Sequence, residues 1–139
     1  MTTIKEQEQK IISDFEMFDD WMDKYNYIIE LGKSIPPIKE EYKTDKYLIK
    51  GCQSRVWLHA DYRDGKVIYT ADSDALITKG IAALLIEVLS GQPPKDIVEA
   101  ELSFIDEIGL KEHLSQTRSN GLVNMIKQMK LYALAFQKM

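Results

Sequence analysis

The chain has 139 residues, 45% hydrophobic and 29% charged, with a net charge of −4 and a single cysteine. That is the composition of one globular domain, 1–139. No run approaches the roughly 18 apolar residues of a membrane helix, and no basic, aromatic-interleaved stretch marks a nucleic-acid surface. The charged N-terminus lacks the apolar core of a secretion signal. One cysteine forms no internal disulfide, so the expected location is the cytoplasm, with neither membrane nor nucleic acid as partner.

Taken in chain order, Ile4, Ile11, Ile12, Phe15 and Phe18 have helical spacing. A second helix uses Trp21, Tyr25, Ile28, Ile29 and Leu31, with Asp19 or Asp20 as cap and Gly32 as stop. Ile35-Pro36-Pro37 forces extended chain, and Ile38 to Lys46 has no clear pattern. The period then changes. Tyr47-Leu48-Ile49 is a short strand candidate. Val56, Leu58 and Ala60 alternate with polar or aromatic residues, as do Val67, Tyr69 and Ala71. Asp64-Gly65 between these runs is a tight hairpin signal. The expectation is a meander of three antiparallel strands.

Ser73 is the expected cap of the strongest helical stripe, Leu76, Ile77, Ile81, Leu84, Leu85, Val88 and Leu89, which Gly91 ends. Pro93-Pro94 starts a short turn through Val98, Ala100 to Phe104 is ambiguous, and a short helix covers Ile105 to Gly109. Ser119 is the expected cap of the last helix, whose face is Leu122, Met125, Ile126, Met129, Tyr132, Ala133 and Phe136. Helices packed on a small three-stranded antiparallel sheet make an α+β fold.

Cys52 falls in Leu48-Ile49-Lys50-Gly51-Cys52-Gln53-Ser54-Arg55-Val56-Trp57, on the connection between the first two strand candidates. Its neighbours are polar, whereas an inert cysteine is normally a small hydrophobe among hydrophobes. A thiol of ordinary pKa is only about 3% ionised at neutral pH. Lys50 and Arg55 offer charge that would raise that fraction, Gly51 permits a positive φ or a close backbone approach, and Gln53 and Ser54 offer hydrogen bonds. Packing and reactivity both remain open on these grounds. A protease-like dyad needs a histidine, and the two present, His59 and His113, are scattered. No metal-ligand spacing and no glycine-rich phosphate loop is present. Asp72 and Asp74 read as carboxylates at a helix start rather than an acid–base pair. What suits a thiol with no base, metal or cofactor is thiol–disulfide exchange or persulfide transfer.

Gly51-Cys52-Gln53-Ser54, followed by Arg55-Val56-Trp57, resembles the signature of the SufE family of sulfur-acceptor proteins. Tyr25 to Gly32 resembles that family's second helix. Asp72-Ser73-Asp74-Ala75 with Lys79-Gly80 resembles the start of its central helix, and Arg118-Ser119-Asn120-Gly121-Leu122 with Met125 the start of its final one. The resemblance implies a SufE/IscU-like fold. It implies that Cys52 accepts persulfide sulfur from a SufS-like cysteine desulfurase, stimulates that enzyme, and passes the sulfur to a SufBCD-like iron–sulfur scaffold. Pyridoxal phosphate then belongs to the desulfurase, and this chain carries no cofactor or metal. Arg118 matches a family arginine associated with the cysteine loop, with a role in steadying the thiolate or docking the partner. The scaffold proteins hold clusters with several cysteines, so a lone cysteine fits carrying sulfur rather than building clusters. The alternative is a non-catalytic adaptor that activates a desulfurase by binding alone. The chemistry further predicts a loop that shelters Cys52 in the free protein and exposes it on docking.

Overall fold

The computed structural model describes residues 2–52 and 54–139. Helix α1, Ile4–Glu16, opens on a capping box in which Thr3 accepts the Glu6 N–H and the Glu6 side chain reaches back. Asp20 caps α2, Trp21–Ser34, by accepting the Asp23 N–H at 2.9 Å. Strands β1, Val56–Arg63, and β2, Lys66–Ser73, form an antiparallel hairpin in register from Val56↔Ser73 to Arg63↔Lys66. Asp64 and Gly65 both take positive φ, 52° and 78°, which a two-residue hairpin turn requires. The inward faces bury Val56, Leu58 and Ala60 opposite Val67, Tyr69 and Ala71.

Helix α3, Leu76–Leu89, is buried on nearly every side, as its almost continuous apolar sequence requires. The sheet packs against it, and so does α2. Gly32 and Gly80 bring α2 and α3 together: a Cβ on Gly32 would stand 2.8 Å from the Gly80 nitrogen, and one on Gly80 would run into the Ile28 carbonyl. Gly32 is thus a helix-crossing contact rather than a stop, and α2 continues to Ser34, ahead of Pro36-Pro37. Short helices α4, Pro94–Glu99, and α5, Phe104–Glu107, cover the far end. Between them Leu102 is buried at φ 55°, and the Phe104 N–H donates to the buried Glu8 carboxylate at 3.0 Å. Helix α6, Gln116–Gln137, buries Leu122, Met125, Met129 and Ala133 in the same core. The Tyr69 hydroxyl donates to the Met129 carbonyl at 2.6 Å, tying α6 to β2.

Three expectations need correction. The sheet has two strands rather than three. Asp45–Tyr47 is a 3₁₀ turn and Gly51 turns away at φ 83°, so only Leu48 pairs, in a single bridge to Trp57. Ser115 rather than Ser119 caps α6, accepting the Arg118 N–H at 3.2 Å, while Ser119 lies inside the first turns and donates to the Lys111 carbonyl. Ser73 accepts the Ala75 N–H in a local turn, and α3 begins after Ala75 without a side-chain cap. The fold remains α+β, with helices on a small antiparallel sheet.

Candidate functional site

The segment from Lys50 to Arg55 leaves the core and returns to it, and both ends are fastened. Before it, the Ile49 N–H donates to the Val56 carbonyl at 2.8 Å. After it, Arg55 and Asp74 exchange two bonds: the Arg55 N–H donates to Asp74 Oδ1 at 3.0 Å, and the Asp74 N–H to the Arg55 carbonyl at 3.2 Å. The Asp72-Ser73-Asp74 turn therefore acts on the thiol loop rather than on the α3 dipole. Asp72 holds the preceding chain through Lys43 at 2.9 Å and reaches Lys79 on α3 at 3.4 Å. Its burial works to raise the carboxyl pKa, but the bonds from Lys43 and the Ser73 N–H, with Lys79 nearby, hold it below the usual carboxylate range.

The tip of the loop lies on the second turn of α6. Cys52 is half-buried, and its S–H donates to the Gly121 carbonyl at 3.7 Å. Helix and loop are packed closely here: even a Cβ on Gly121 would only just reach van der Waals contact with Cys52 Sγ, at 3.4 Å. One turn later, the Asn124 amide fills the space that a side chain on Gly51 would need. Gly51 itself adopts φ 83°, a conformation glycine takes without strain. Ser54 is half-buried in the bend before β1, and Gln53 lies outside the described residues.

Burial pushes the Cys52 thiol up, and among the described residues no cation offsets it. The expectation that Lys50 and Arg55 favour the thiolate is therefore not met in this closed loop. Arg118 is one turn before Gly121 on α6, and its guanidinium Nη1 donates to Thr78 Oγ1 on α3 at 3.1 Å. Arg118 thus braces the two helices beside the loop, and its bond goes to Thr78, not to the sulfur. The histidines are engaged elsewhere: His59 stacks on Tyr42 at 3.6 Å and His113 on Trp21 at 3.8 Å. Among the described residues, no three His, Cys, Asp or Glu side chains form a metal-binding group, and no helix is long and apolar enough to cross a membrane.

Gly121, Asn124, Asp74 and Thr78 complete this arrangement without having been singled out for it in the sequence. For Gly121 there was a signal: a glycine within a helix costs about 1 kcal/mol against alanine, so close packing is its usual reason. Asn124 carried none.

The family model described as "SufE: Fe-S metabolism associated domain" matches residues 9–133. An uncharacterized SufE-like protein of Synechocystis sp. is 41% identical over 128 residues, spanning 92% of this chain and 80% of the relative. One of Rhizobium meliloti is 40% identical over 126 residues, spanning 87% and 90%. The chloroplastic/mitochondrial SufE-like protein 1 of Arabidopsis thaliana is 39% identical over 127 residues, which are 91% of this chain but 34% of the plant protein. The solution structure of a hypothetical protein from Thermus thermophilus shares the fold, with a TM-score of 0.80 at 21% identity over 96% of this chain and 97% of that one. With one family model running through α1 to α6, across both the thiol loop and its seat, the chain belongs to the SufE family, associated with Fe–S metabolism.

Proposed function

We propose that the chain, acting as one SufE-like domain over 1–139, carries sulfur between proteins in the cytoplasm. Cys52 takes persulfide sulfur from a SufS-type cysteine desulfurase, stimulates that enzyme, and passes the sulfur to a SufBCD-type iron–sulfur scaffold. The observation that carries this reading is the seating of the lone thiol. It stands at the tip of a loop pinned at both ends, and a weak S–H bond to Gly121 and van der Waals contact hold that tip to α6. Such a tip lifts without disturbing the core.

In the transfer step, the Cys52 thiol loses its proton to solvent as the tip lifts and desolvation is relieved. The thiolate attacks the outer sulfur of the donor's persulfide. A new S–S bond forms at Cys52, the donor's S–S bond breaks, and the donor leaves as a thiolate. Pyridoxal phosphate and the carbon–sulfur cleavage belong to the desulfurase. Gly51 and Ser54 shape the loop in this reading, with Gln53 between them. Arg118 positions α6 against α3 and becomes available to a thiolate or partner only on leaving Thr78.

One observation favours a second reading. Burial raises the thiol pKa, so the closed loop presents a weak nucleophile. In that reading the chain is an adaptor that activates the desulfurase by contact and accepts no sulfur. Mass spectrometry after mixing with desulfurase and cysteine separates the two. The carrier gains about 32 Da per sulfur on the wild-type chain, and Cys52→Ser gains none and loses stimulation. Full stimulation by Cys52→Ser selects the adaptor.

A further inference from the structure

Beside the thiol loop runs an open groove of about 610 Å³, between the segment Asp45–Lys50 and the outer face of α6. Lys46 comes from the 3₁₀ turn, Lys50 from the foot of the thiol loop and Lys127 from α6, and all three are exposed. Among the described residues, none of the three lies within 4.0 Å of a carboxylate. Asp45 is the one acidic side chain in the lining. In a chain of net charge −4, this is a local concentration of unpaired positive charge. Leu131, 49% exposed, adds an apolar contact along the same wall. Asn124, whose amide packs over Gly51, is also in the lining, so the groove is continuous with the seat of the thiol.

Resting on the sulfur-carrier reading, we propose that this groove docks an acidic, extended segment of the cysteine desulfurase. The lysines stand on three separate elements along the groove, the 3₁₀ turn, the foot of the thiol loop and α6, so they address charges spread along a chain rather than one small anion. Three lysines with a carboxylate among them are too few for a nucleic-acid backbone. The groove adjoins the closed tip that Gly121 holds against α6. In the carrier reading that closed tip is what the sulfur donor has to open, which selects the desulfurase over a downstream acceptor. A segment drawn to Lys50 and Lys127 binds on both sides of the loop–helix contact, bringing the donor's persulfide to the tip that has to lift.

The test uses the full chain and a purified SufS-type desulfurase. Binding is measured for wild type, for Lys46→Glu/Lys50→Glu/Lys127→Glu, and for a control reversing the exposed Lys5, Lys10 and Lys95 on α1 and α4. Ionic strengths of about 0.01 M and about 1 M shorten the screening length from about 30 to about 3 Å. The groove variant is expected to bind about tenfold or more weakly, chiefly through slower association and with a flatter salt response. The control is expected to stay within about twofold of wild type. Sulfur loading of the groove variant returns when the desulfurase is saturating. Equal binding by the groove variant, an equal loss in the control, no binding by wild type, or equally tight binding of a DNA oligonucleotide in the groove overturns the proposal. If wild type binds with the expected salt response but gains no sulfur mass, the carrier reading fails while the docking groove stands.

Discussion

Replacing Gly51 with alanine isolates what the closed loop contributes. The backbone there is at φ 83°, where a Cβ costs about 1–2 kcal/mol, and the new methyl also collides with the Asn124 amide. Both penalties exist only while the tip lies on α6. Lifting the tip relieves them and leaves the Ile49–Val56 and Arg55–Asp74 fastenings in place. The strain therefore appears mainly as loop opening, and 1–2 kcal/mol corresponds to about a 5- to 30-fold shift in that equilibrium. Iodoacetamide alkylation of Cys52 at fixed pH reads this shift directly, and Gly51→Ala is expected to react faster by about that factor. The melting temperature should fall by only a few degrees. Adding Asn124→Ala removes the collision but not the φ strain, so the double variant should fall between wild type and Gly51→Ala. Alkylation of Gly51→Ala at the wild-type rate, with an unchanged melting temperature, refutes the reasoning that the loop is held closed over α6.

Two further outcomes follow from the same geometry. The Cys52 thiol, pushed up by burial, should show an alkylation-rate midpoint above that of a free cysteine peptide. Because its folded pKa is raised, its stabilising contribution is complete below the unfolded thiol's pKa and lost as pH rises through the folded one. Urea denaturation of wild type against Cys52→Ser across that range should show the difference shrinking with rising pH. On α3, Gly80→Ala should destabilise the fold by a net of about 1–2 kcal/mol in urea denaturation, because overpacking against the Ile28 carbonyl, at the upper end of about 1–3 kcal/mol, outweighs the roughly 1 kcal/mol gain in helix propensity.

Local chemistry was readable wherever a feature depended on adjacent residues. Asp64-Gly65 announced the hairpin because both positions need positive φ, and the apolar run of Leu76 to Leu89 announced a buried helix. Features that depend on distant partners were not. Gly32 looked like a terminator because Gly80, 48 positions on, is what it serves. Ser119 and Ser115 are equally good caps by type, and only the backbone's entry decides between them. The third strand failed because a 3₁₀ turn consumed Tyr47, a choice that propensity does not foresee. The site divides in the same way. Cys52 and its loop were visible as a polar interruption between apolar runs. The helix turn that receives the thiol was not, since Gly121 lies 69 residues away. Nearby lysine and arginine suggested an activated thiol, but the fold turns their charge outward and leaves burial dominant.

The contact between Cys52 and Gly121 sets a size limit on what the seat accepts. Sγ already lies against the helix, 3.7 Å from the Gly121 carbonyl oxygen. A second sulfur, bonded at about 2.05 Å, has no space on the helix side and has to project outward or lift the tip. In the sulfur-carrier role proposed above, an empty and a laden chain would then differ in outline as well as in chemistry. A sulfur donor and a sulfur acceptor would tell them apart by whether the tip is down, which would give traffic through a single cysteine its direction.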